Sequence, residues 1–167
     1  YLFFLEKVKQ NLHEVCDIYA YCFMQNHFHL LVRIKPEKDL EKFLEIQKPK
    51  ITDLKGLHSS KHIFSKQFSK IFNSYSQAFN KENNRHGSLV ESPYKRKLIS
   101  SEEYLRNCII YIHQNPVGGD FRNYNYSSYK SILKNSSTTL KRNEVIELFE
   151  DKENYTLCHN IESDYEF

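Results

Sequence analysis

The strongest constraint on the fold of this chain is a pair of strand-like segments separated by two residues. Residues 15–24 (VCDIYAYCFM) and 27–34 (HFHLLVRI) are rich in β-branched and aromatic side chains, which favour strands. Gln25–Asn26 suits a tight turn between them, and Pro36 ends the second segment. We therefore predict a β-hairpin over residues 15–34.

Helical patterns surround this hairpin, with apolar residues spaced three and four apart. The sequence predicts helices over residues 1–13, 40–47, 62–80 and 102–114, with a shorter one at 127–133. Asp39 and Ser101 are the expected N-caps of the second and fourth of these helices. A basic strand is predicted at 94–99, and a loop or broken helix at 48–61. This order implies an α+β fold in which helices cover an antiparallel sheet.

Composition excludes several classes of protein. The 167 residues include only four Gly and four Pro, which argues against collagen-like and low-complexity chains. No apolar run approaches the roughly 20 residues that cross a bilayer, and the first residues lack the basic region of a signal peptide. The four cysteines show no CxxC spacing, so we expect reduced thiols and a cytoplasmic location.

Charge is divided unevenly along the chain. Residues 1–99 hold 17 basic and 10 acidic residues, whereas residues 100–167 hold 7 basic and 11 acidic ones, so the net charge of +3 is composed of +7 and −4. Residues 61–97 are the most basic stretch and also carry many aromatic residues. This mixture suits phosphate neutralisation and base stacking, although a solvated helix face would have the same composition.

Two histidines with one residue between them form the first candidate site. His27 and His29 alternate along the second predicted strand, so their imidazoles are expected to share a face while Phe28 points to the core. Two such rings can share one divalent ion if a third ligand comes from elsewhere. The pattern His-x-His also occurs by chance.

The second candidate site is the segment YIHQNP at residues 111–116. Tyr111 and Asn115 lie four residues apart and therefore share one face of the predicted helix. Considered alone, Tyr111 could equally be a half-buried core residue, and Asn115–Pro116 a simple helix end.

Together and in this order, the two motifs resemble those of the single-tyrosine HUH transposases. MQNHFHLLV (24–32) resembles the HUH motif, and YIHQNPV (111–117) resembles the tyrosine-helix signature, nearest the REP-associated branch of the family. RHGSLVESPYKRKLI (85–99) and YNYSSYKSI (124–132) resemble the intervening and downstream segments. The resemblance therefore covers residues 1–132 as a catalytic domain, and residues 133–167 are expected to form a peripheral acidic C-terminal extension.

The resemblance implies roles for individual residues. His27, His29 and Asn115 would be ligands of Mg²⁺ or Mn²⁺, and Tyr111 would be the nucleophile that cleaves single-stranded DNA at hairpin-flanked sites. The basic segment would hold the DNA through residues that include Lys66, Lys70, Arg85, Lys95, Arg96 and Lys97. The implied protein is bacterial, acts on nucleoid DNA, and is either a homodimer or a monomer.

The resemblance also implies a ferredoxin-like antiparallel sheet, of which this chain lacks the first strand. Two further departures are Tyr126, where relatives often have Trp, and Gly118–Asp120, where relatives usually have a basic residue. The main alternative is a non-catalytic protein that binds DNA hairpins on the same scaffold. An RNA-binding ferredoxin-like module is a third possibility, but it would need aromatic and basic residues on the sheet face that holds His27 and His29.

Overall fold

The computed structural model describes residues 1–47, 60–91, 94–116 and 119–161. Within these ranges the fold is α+β, with one two-stranded antiparallel sheet and seven α-helices. The elements are α1 (Leu2–Leu12), β1 (Cys16–Phe23), β2 (Phe28–Ile34), α2 (Glu37–Gln47), α3 (Ser60–Glu82), α4 (Glu102–Gln114), α5 (Tyr129–Leu133), α6 (Arg142–Leu148) and α7 (Lys152–Cys158). None of the described helices is both long and apolar enough to cross a membrane.

The chain divides into two compact units, the first of which comprises Tyr1–Asp17 and Ile34–Lys97. In this unit α1 packs on α3 through aromatic rings. The Phe4 ring lies edge-on to Tyr75, with centroids 5.1 Å apart, and stacks on Phe72 at 6.3 Å. Val8 and Leu12 continue the buried face of α1, so the i, i+4 spacing of its apolar residues sets the contact.

The second unit comprises Ile18–Arg33 and Leu98–Phe167. Its core contains side chains from β1, β2, α4, α5, α6 and α7: Tyr19, Ala20, Cys22, Leu31, Cys108, Ile109, Ile112, Tyr129, Ile132, Val145, Phe149 and Tyr155. Both faces of β1 are buried in this region, which explains why its sequence is an almost continuous apolar run.

Later segments of the chain cover the edge of β1 in the second unit. The backbone N–H of Ser128 donates to Tyr21 O at 2.9 Å, and Phe23 N–H donates to Tyr126 O at 3.0 Å. Lys141 N–H donates to Ile18 O at 2.9 Å. Three backbone groups of this strand are thereby satisfied by residues that lie far along the chain.

Helix α4 has the bounds that the sequence predicts. The Ser101 hydroxyl accepts a hydrogen bond from Tyr104 N–H at 3.1 Å, which confirms the predicted N-cap. Asn115 is the C-cap and Pro116 follows it, so the helix ends where a proline has no N–H to donate to the preceding turn. The predicted hairpin with its turn at Gln25–Asn26 is also confirmed.

Two local predictions are wrong. Helix α2 begins at Glu37 rather than at residue 40, because Pro36 O already accepts hydrogen bonds from the N–H groups of Asp39 and Leu40. Asp39 therefore lies in the first turn and is not the N-cap. Residues 94–99 form no strand, since β-forming composition gives a strand only where another strand is available to pair with it. Most of the loop predicted at 48–61 lies outside the described residues.

The expectation of a peripheral C-terminal extension is also wrong for most of its length. Val145, Phe149, Tyr155 and His159 are all buried in the second unit. They come from α6, α7 and the residues that follow these helices. The acidic residues of this segment dominate its net charge, but its aromatic and aliphatic residues at helical spacing contribute to the core.

Candidate functional site

The four residues singled out by the two motifs lie together in the second unit. His27 Nε2 lies 3.2 Å from Asn115 Oδ1. The rings of His27 and His29 have centroids 5.2 Å apart, and the ring of Tyr111 lies 5.4 Å from that of His29 at an interplanar angle of 73°. The hairpin and the end of α4 thus bring two imidazoles, one amide and one phenol to a single place.

The hairpin positions the two histidines differently from the prediction. His27 precedes β2, which begins at Phe28, and its side chain is exposed, whereas His29 lies within the strand and is half-buried. Phe28 is half-buried rather than a core residue. Asn26 Oδ1 accepts from His27 Nδ1 at 2.7 Å, so the turn itself orients the His27 ring.

Helix α4 positions the phenol and the amide. Tyr111 and Asn115 are one turn apart, while Ile109, Ile112 and His113 are buried on the inner side of the same helix. Tyr111 is half-buried and packs against the edge of the core of the second unit. A ring packed in this way has few rotamers available to it.

His29 provides a nitrogen that is ready to act as a ligand. Burial lowers the pKa of His29, the adjacent His27 lowers it further, and the side chain of Asn115 acts in the opposite direction. Its Nε2 atom is buried and has no hydrogen-bond partner. A neutral imidazole with an unsatisfied nitrogen is an uncommon feature in a folded protein, and it is the form of histidine that binds a metal.

The donor set can be compared with the needs of a divalent cation. No group of three or more His, Cys, Asp or Glu side chains suited to a metal occurs among the described residues, but this site combines two imidazoles with an amide oxygen. His27 Nε2 and Asn115 Oδ1 lie 3.2 Å apart, close to the roughly 3.0 Å between adjacent ligands in an octahedral shell with bonds of about 2.1 Å. Mixed nitrogen and oxygen donors suit Mn²⁺ better than Mg²⁺.

The six predicted DNA-binding cations all belong to the first unit. Lys66 and Lys70 lie on α3, Arg85 lies over the ring of Phe79 at 5.8 Å, and Lys95, Arg96 and Lys97 lie in the non-helical segment that follows. All six side chains are exposed. Their positive charges face solvent within that unit, as the basic composition of residues 61–97 predicts.

Sequence reasoning missed a set of buried polar residues on and next to α4, the helix that carries Tyr111 and is called the tyrosine helix below. His113 and His159 are both fully buried, and Ser128 is buried between His113 and β1. One signal was available for His113, which lies four residues after Ile109 and therefore on the buried face of α4. His159 had no such signal, because it follows a short helix in a segment that reads as acidic.

Comparisons with known proteins identify no relative of this chain. Neither protein-family models nor curated proteins nor solved structures give a significant match to the chain.

Proposed function

We propose that this protein is a divalent-metal-dependent enzyme that cuts and joins single-stranded DNA at hairpin-flanked sites through a 5′-phosphotyrosine. The observation that supports this most directly is the placement of Tyr111 beside His29, with His27 and Asn115 in the same group. The ferredoxin-like arrangement of the scaffold belongs to the same proposal, as do the bacterial cytoplasmic location and a DNA substrate.

The proposed ligands of the cation are His27, His29 and Asn115. The buried, unpartnered Nε2 of His29 and the proximity of His27 Nε2 to Asn115 Oδ1 support this assignment. When bound, Mn²⁺ or Mg²⁺ would supply positive charge that polarises a non-bridging oxygen of the scissile phosphate. The three side chains hold that charge next to the tyrosine.

Tyr111 is the proposed nucleophile. A phenol is mostly protonated at neutral pH, so it must lose its proton before or during attack. Its oxygen would then form a bond to the scissile phosphorus while the bond from phosphorus to the 3′ oxygen breaks, and the departing oxygen takes up a proton to leave a 3′-OH. The phosphotyrosine conserves the diester, so the 3′-OH of another strand can reverse the step and complete strand joining without an external energy source.

The exposed cations of the first unit are proposed to hold the DNA backbone. Each phosphate that they neutralise releases condensed counterions, so DNA affinity should fall steeply with salt. This contribution would be common to the enzyme and to the alternative function, a non-catalytic protein that binds DNA hairpins. The two functions therefore differ in their chemistry rather than in their affinity.

The decisive experiment is a search for a covalent protein–DNA adduct. The protein is incubated with single-stranded hairpin DNA and Mn²⁺, denatured, and digested with nuclease and trypsin. We expect a nucleotide-bearing peptide that covers residues 107–122, in which Tyr111 is the sole tyrosine. EDTA should prevent the adduct. An adduct on a different peptide would refute the nucleophile, and tight DNA binding with no adduct on any hairpin substrate would favour the non-catalytic alternative.

Replacing His27 by Ala should separate catalysis from DNA binding. We expect the cleavage rate to fall by at least about 100-fold, because losing one ligand removes transition-state stabilisation worth a few kcal/mol. The dissociation constant for DNA should change by less than about threefold, since DNA affinity depends mainly on phosphate contacts. Single-turnover cleavage and fluorescence anisotropy measure the two quantities.

The matched control for this substitution is His13→Ala, which removes an exposed histidine of the first unit that pairs with Glu14 at 2.7 Å. The control should retain both cleavage and binding. If His27→Ala weakens DNA binding as much as cleavage, His27 contacts DNA or supports the fold, and its assignment as a ligand fails.

A further inference from the structure

A buried chain of hydrogen bonds runs behind the tyrosine helix, and we propose that it positions the site. In this inference His159, in the segment after α7, fixes His113 and thereby the last turn of α4, which carries Tyr111 and Asn115. The catalytic consequence rests on the function proposed above, whereas the placement of Tyr111 can be tested without it.

A backbone group lies at each end of this chain of hydrogen bonds. At one end the carbonyl of Tyr155 lies 2.7 Å from His159 Nδ1, and since a carbonyl only accepts, Nδ1 carries the proton. At the other end the N–H of Tyr21 donates to Ser128 Oγ at 2.9 Å. The carbonyl end sets the donor and acceptor roles of the two rings, because Ser128 Oγ can accept from Tyr21 N–H whichever way its own hydroxyl points.

Both histidine rings are fully buried, which favours the neutral form of each ring. Burial lowers the pKa of His159 to about 4. A neutral ring has one N–H and one acceptor nitrogen. Each ring therefore has a single tautomer that fits its neighbours.

Working inward from Tyr155 assigns every proton. His159 Nε2 is unprotonated and accepts from His113 Nδ1, 3.0 Å away. His113 Nε2 is then unprotonated and accepts from the Ser128 hydroxyl at 2.7 Å. The Ser128 hydroxyl has one proton, which goes to His113 Nε2 rather than to Tyr21 O, the more distant acceptor at 3.3 Å. The Ser128 oxygen still accepts from Tyr21 N–H, so each of these bonds pairs one donor with one acceptor. Tyr155 Oη, 3.2 Å from His113 Nδ1, is a second acceptor for the same proton.

These bonds join four parts of the second unit at the level of the site. Ser128 is hydrogen-bonded to β1, which pairs with the β2 strand of His29. His113 is on α4, two residues from both Tyr111 and Asn115, and Gln114 adds a bond from Nε2 to His159 O at 2.9 Å. The same network therefore fixes the tyrosine helix relative to the histidine hairpin.

Because these residues are buried, their hydrogen bonds cannot easily reverse direction or exchange partners. His113, Ser128 and His159 are each inaccessible or nearly so, so water is not available to replace a lost partner. If His159 no longer accepts, the buried N–H of His113 has to turn toward its second acceptor, Tyr155 Oη at 3.2 Å. For His113, such a movement displaces the turn of α4 that bears Tyr111, and a shift of about 1 Å can reduce a rate by about 100-fold.

The test compares two substitutions of His159 with a control on the preceding helix, α7. His159→Phe keeps an aromatic ring but removes the nearer of the two acceptors for His113, whereas His159→Gln supplies an amide oxygen near the place of Nε2. The control is Leu157→Ala, which alters an exposed side chain of α7. Circular dichroism and thermal melting establish that each variant is folded.

The first readout is nuclear magnetic resonance of the protein without DNA or metal. The nitrogen signals of His113 and His159 in the unmodified protein should report the Nδ1–H tautomer for both rings. The ring protons of Tyr111 and His29 should shift in His159→Phe and remain near their original positions in His159→Gln and Leu157→Ala. An Nε2–H tautomer for either histidine, or unchanged Tyr111 and His29 signals in His159→Phe, would overturn the inference.

The second readout is cleavage of hairpin DNA with Mn²⁺. His159→Phe should lower kcat by about 10- to 100-fold with KM for DNA changed by less than threefold, and His159→Gln should recover most of the loss. An equal loss in both variants, or a loss confined to KM, would contradict positioning. If the unmodified protein forms no adduct, the proposed function fails, and the resonance measurements alone still decide whether this chain places Tyr111.

Discussion

Phenylalanine in place of Tyr111 is expected to abolish the covalent adduct and to lower DNA cleavage by about four orders of magnitude or more. Losses of this size are typical when a catalytic nucleophile is removed. The substitution deletes one oxygen from a half-buried ring that packs at the edge of the core, so the free energy of unfolding should change by no more than about 1 kcal/mol. Denaturing gels and single-turnover kinetics measure the effect.

The matched control is Tyr104→Phe. Tyr104 is also half-buried and lies on the same helix, about two turns before Tyr111. This variant should retain the adduct and the cleavage rate within about threefold. Cleavage that persists in Tyr111→Phe would refute Tyr111 as the nucleophile. Cleavage that is lost equally in Tyr104→Phe would mean that these tyrosines act through their packing rather than through nucleophilic attack.

Mild acid is expected to destabilise the protein strongly before its carboxylates titrate. The folded-state pKa of His159 is lowered to about 4 and that of His113 is well below its usual value, in both cases mainly through burial. In the unfolded chain both groups bind a proton near pH 6.5. Between about pH 6.5 and 4 the unfolded state therefore holds more protons, so stability is greatest above this window and falls as pH decreases.

The size of this effect follows from the linkage relation. A shift of one pKa unit corresponds to about 1.4 kcal/mol, so His159 alone contributes on the order of 3 kcal/mol between neutral pH and pH 4. His113 adds to it, and His29 adds a smaller part because its pKa is also lowered. The free energy of unfolding of a domain is only about 5–15 kcal/mol, so the histidines account for a large part of the stability that is lost in mild acid.

The side chains around His113 and His159 are consistent with lowered pKa values for both histidines. Tyr155 and Tyr129 pack against the rings of both histidines, and Phe149 packs against His159. The charged neighbour from the 3₁₀ turn at residues 121–123 is Arg122, whose positive charge lowers the pKa of His159 further. The lowered pKa values of Asp120 and Glu144 affect stability only at lower pH, below their usual carboxyl range.

Urea unfolding measured from pH 7.5 to 4.5 checks this prediction. We expect the urea midpoint to fall continuously below pH 6.5. The free energy of unfolding should then decrease with a slope that approaches two protons, or about 2.7 kcal/mol per pH unit. His159→Phe should reduce the slope by about one proton, whereas Leu157→Ala, which removes no titratable group, should leave it unchanged. A midpoint that is constant down to pH 5 would mean that the two histidines are not buried as neutral rings.

Local signals explain which parts of the fold were predictable. The bounds of α4 follow from the cap at Ser101 and the stop at Pro116, both of which act within a few residues. The hairpin follows from its β-branched and aromatic composition and its two-residue turn. The predicted strand at 94–99 failed because its composition was judged without a partner strand, and pairing depends on distant residues that composition does not specify.

The candidate site shows the same division. The placement of Tyr111 one turn before Asn115 follows from helical spacing, and the approach of His27 to His29 follows from the hairpin. Asn115 and His27 are 88 residues apart in the sequence, so their contact depends on tertiary packing. The sequence resemblance suggested this contact only because it implied that both residues are ligands of one metal ion. The contribution of His159 could not be predicted, because a buried neutral histidine looks like an exposed one in a sequence.

The closure of the β1 edge has a consequence for synthesis on the ribosome. Backbone groups of Ile18, Tyr21 and Phe23 bond to residues at 126–141, so this edge of the strand leaves the ribosome long before these partners exist. At typical elongation rates of about 5–20 residues per second, the delay is roughly 6–25 s. During that time a strand apolar on both faces remains incomplete, and such segments are prone to pair with other chains. Nascent-chain protection, by a chaperone or by the paired β2 strand, should therefore matter more for β1 than for any helix of the protein.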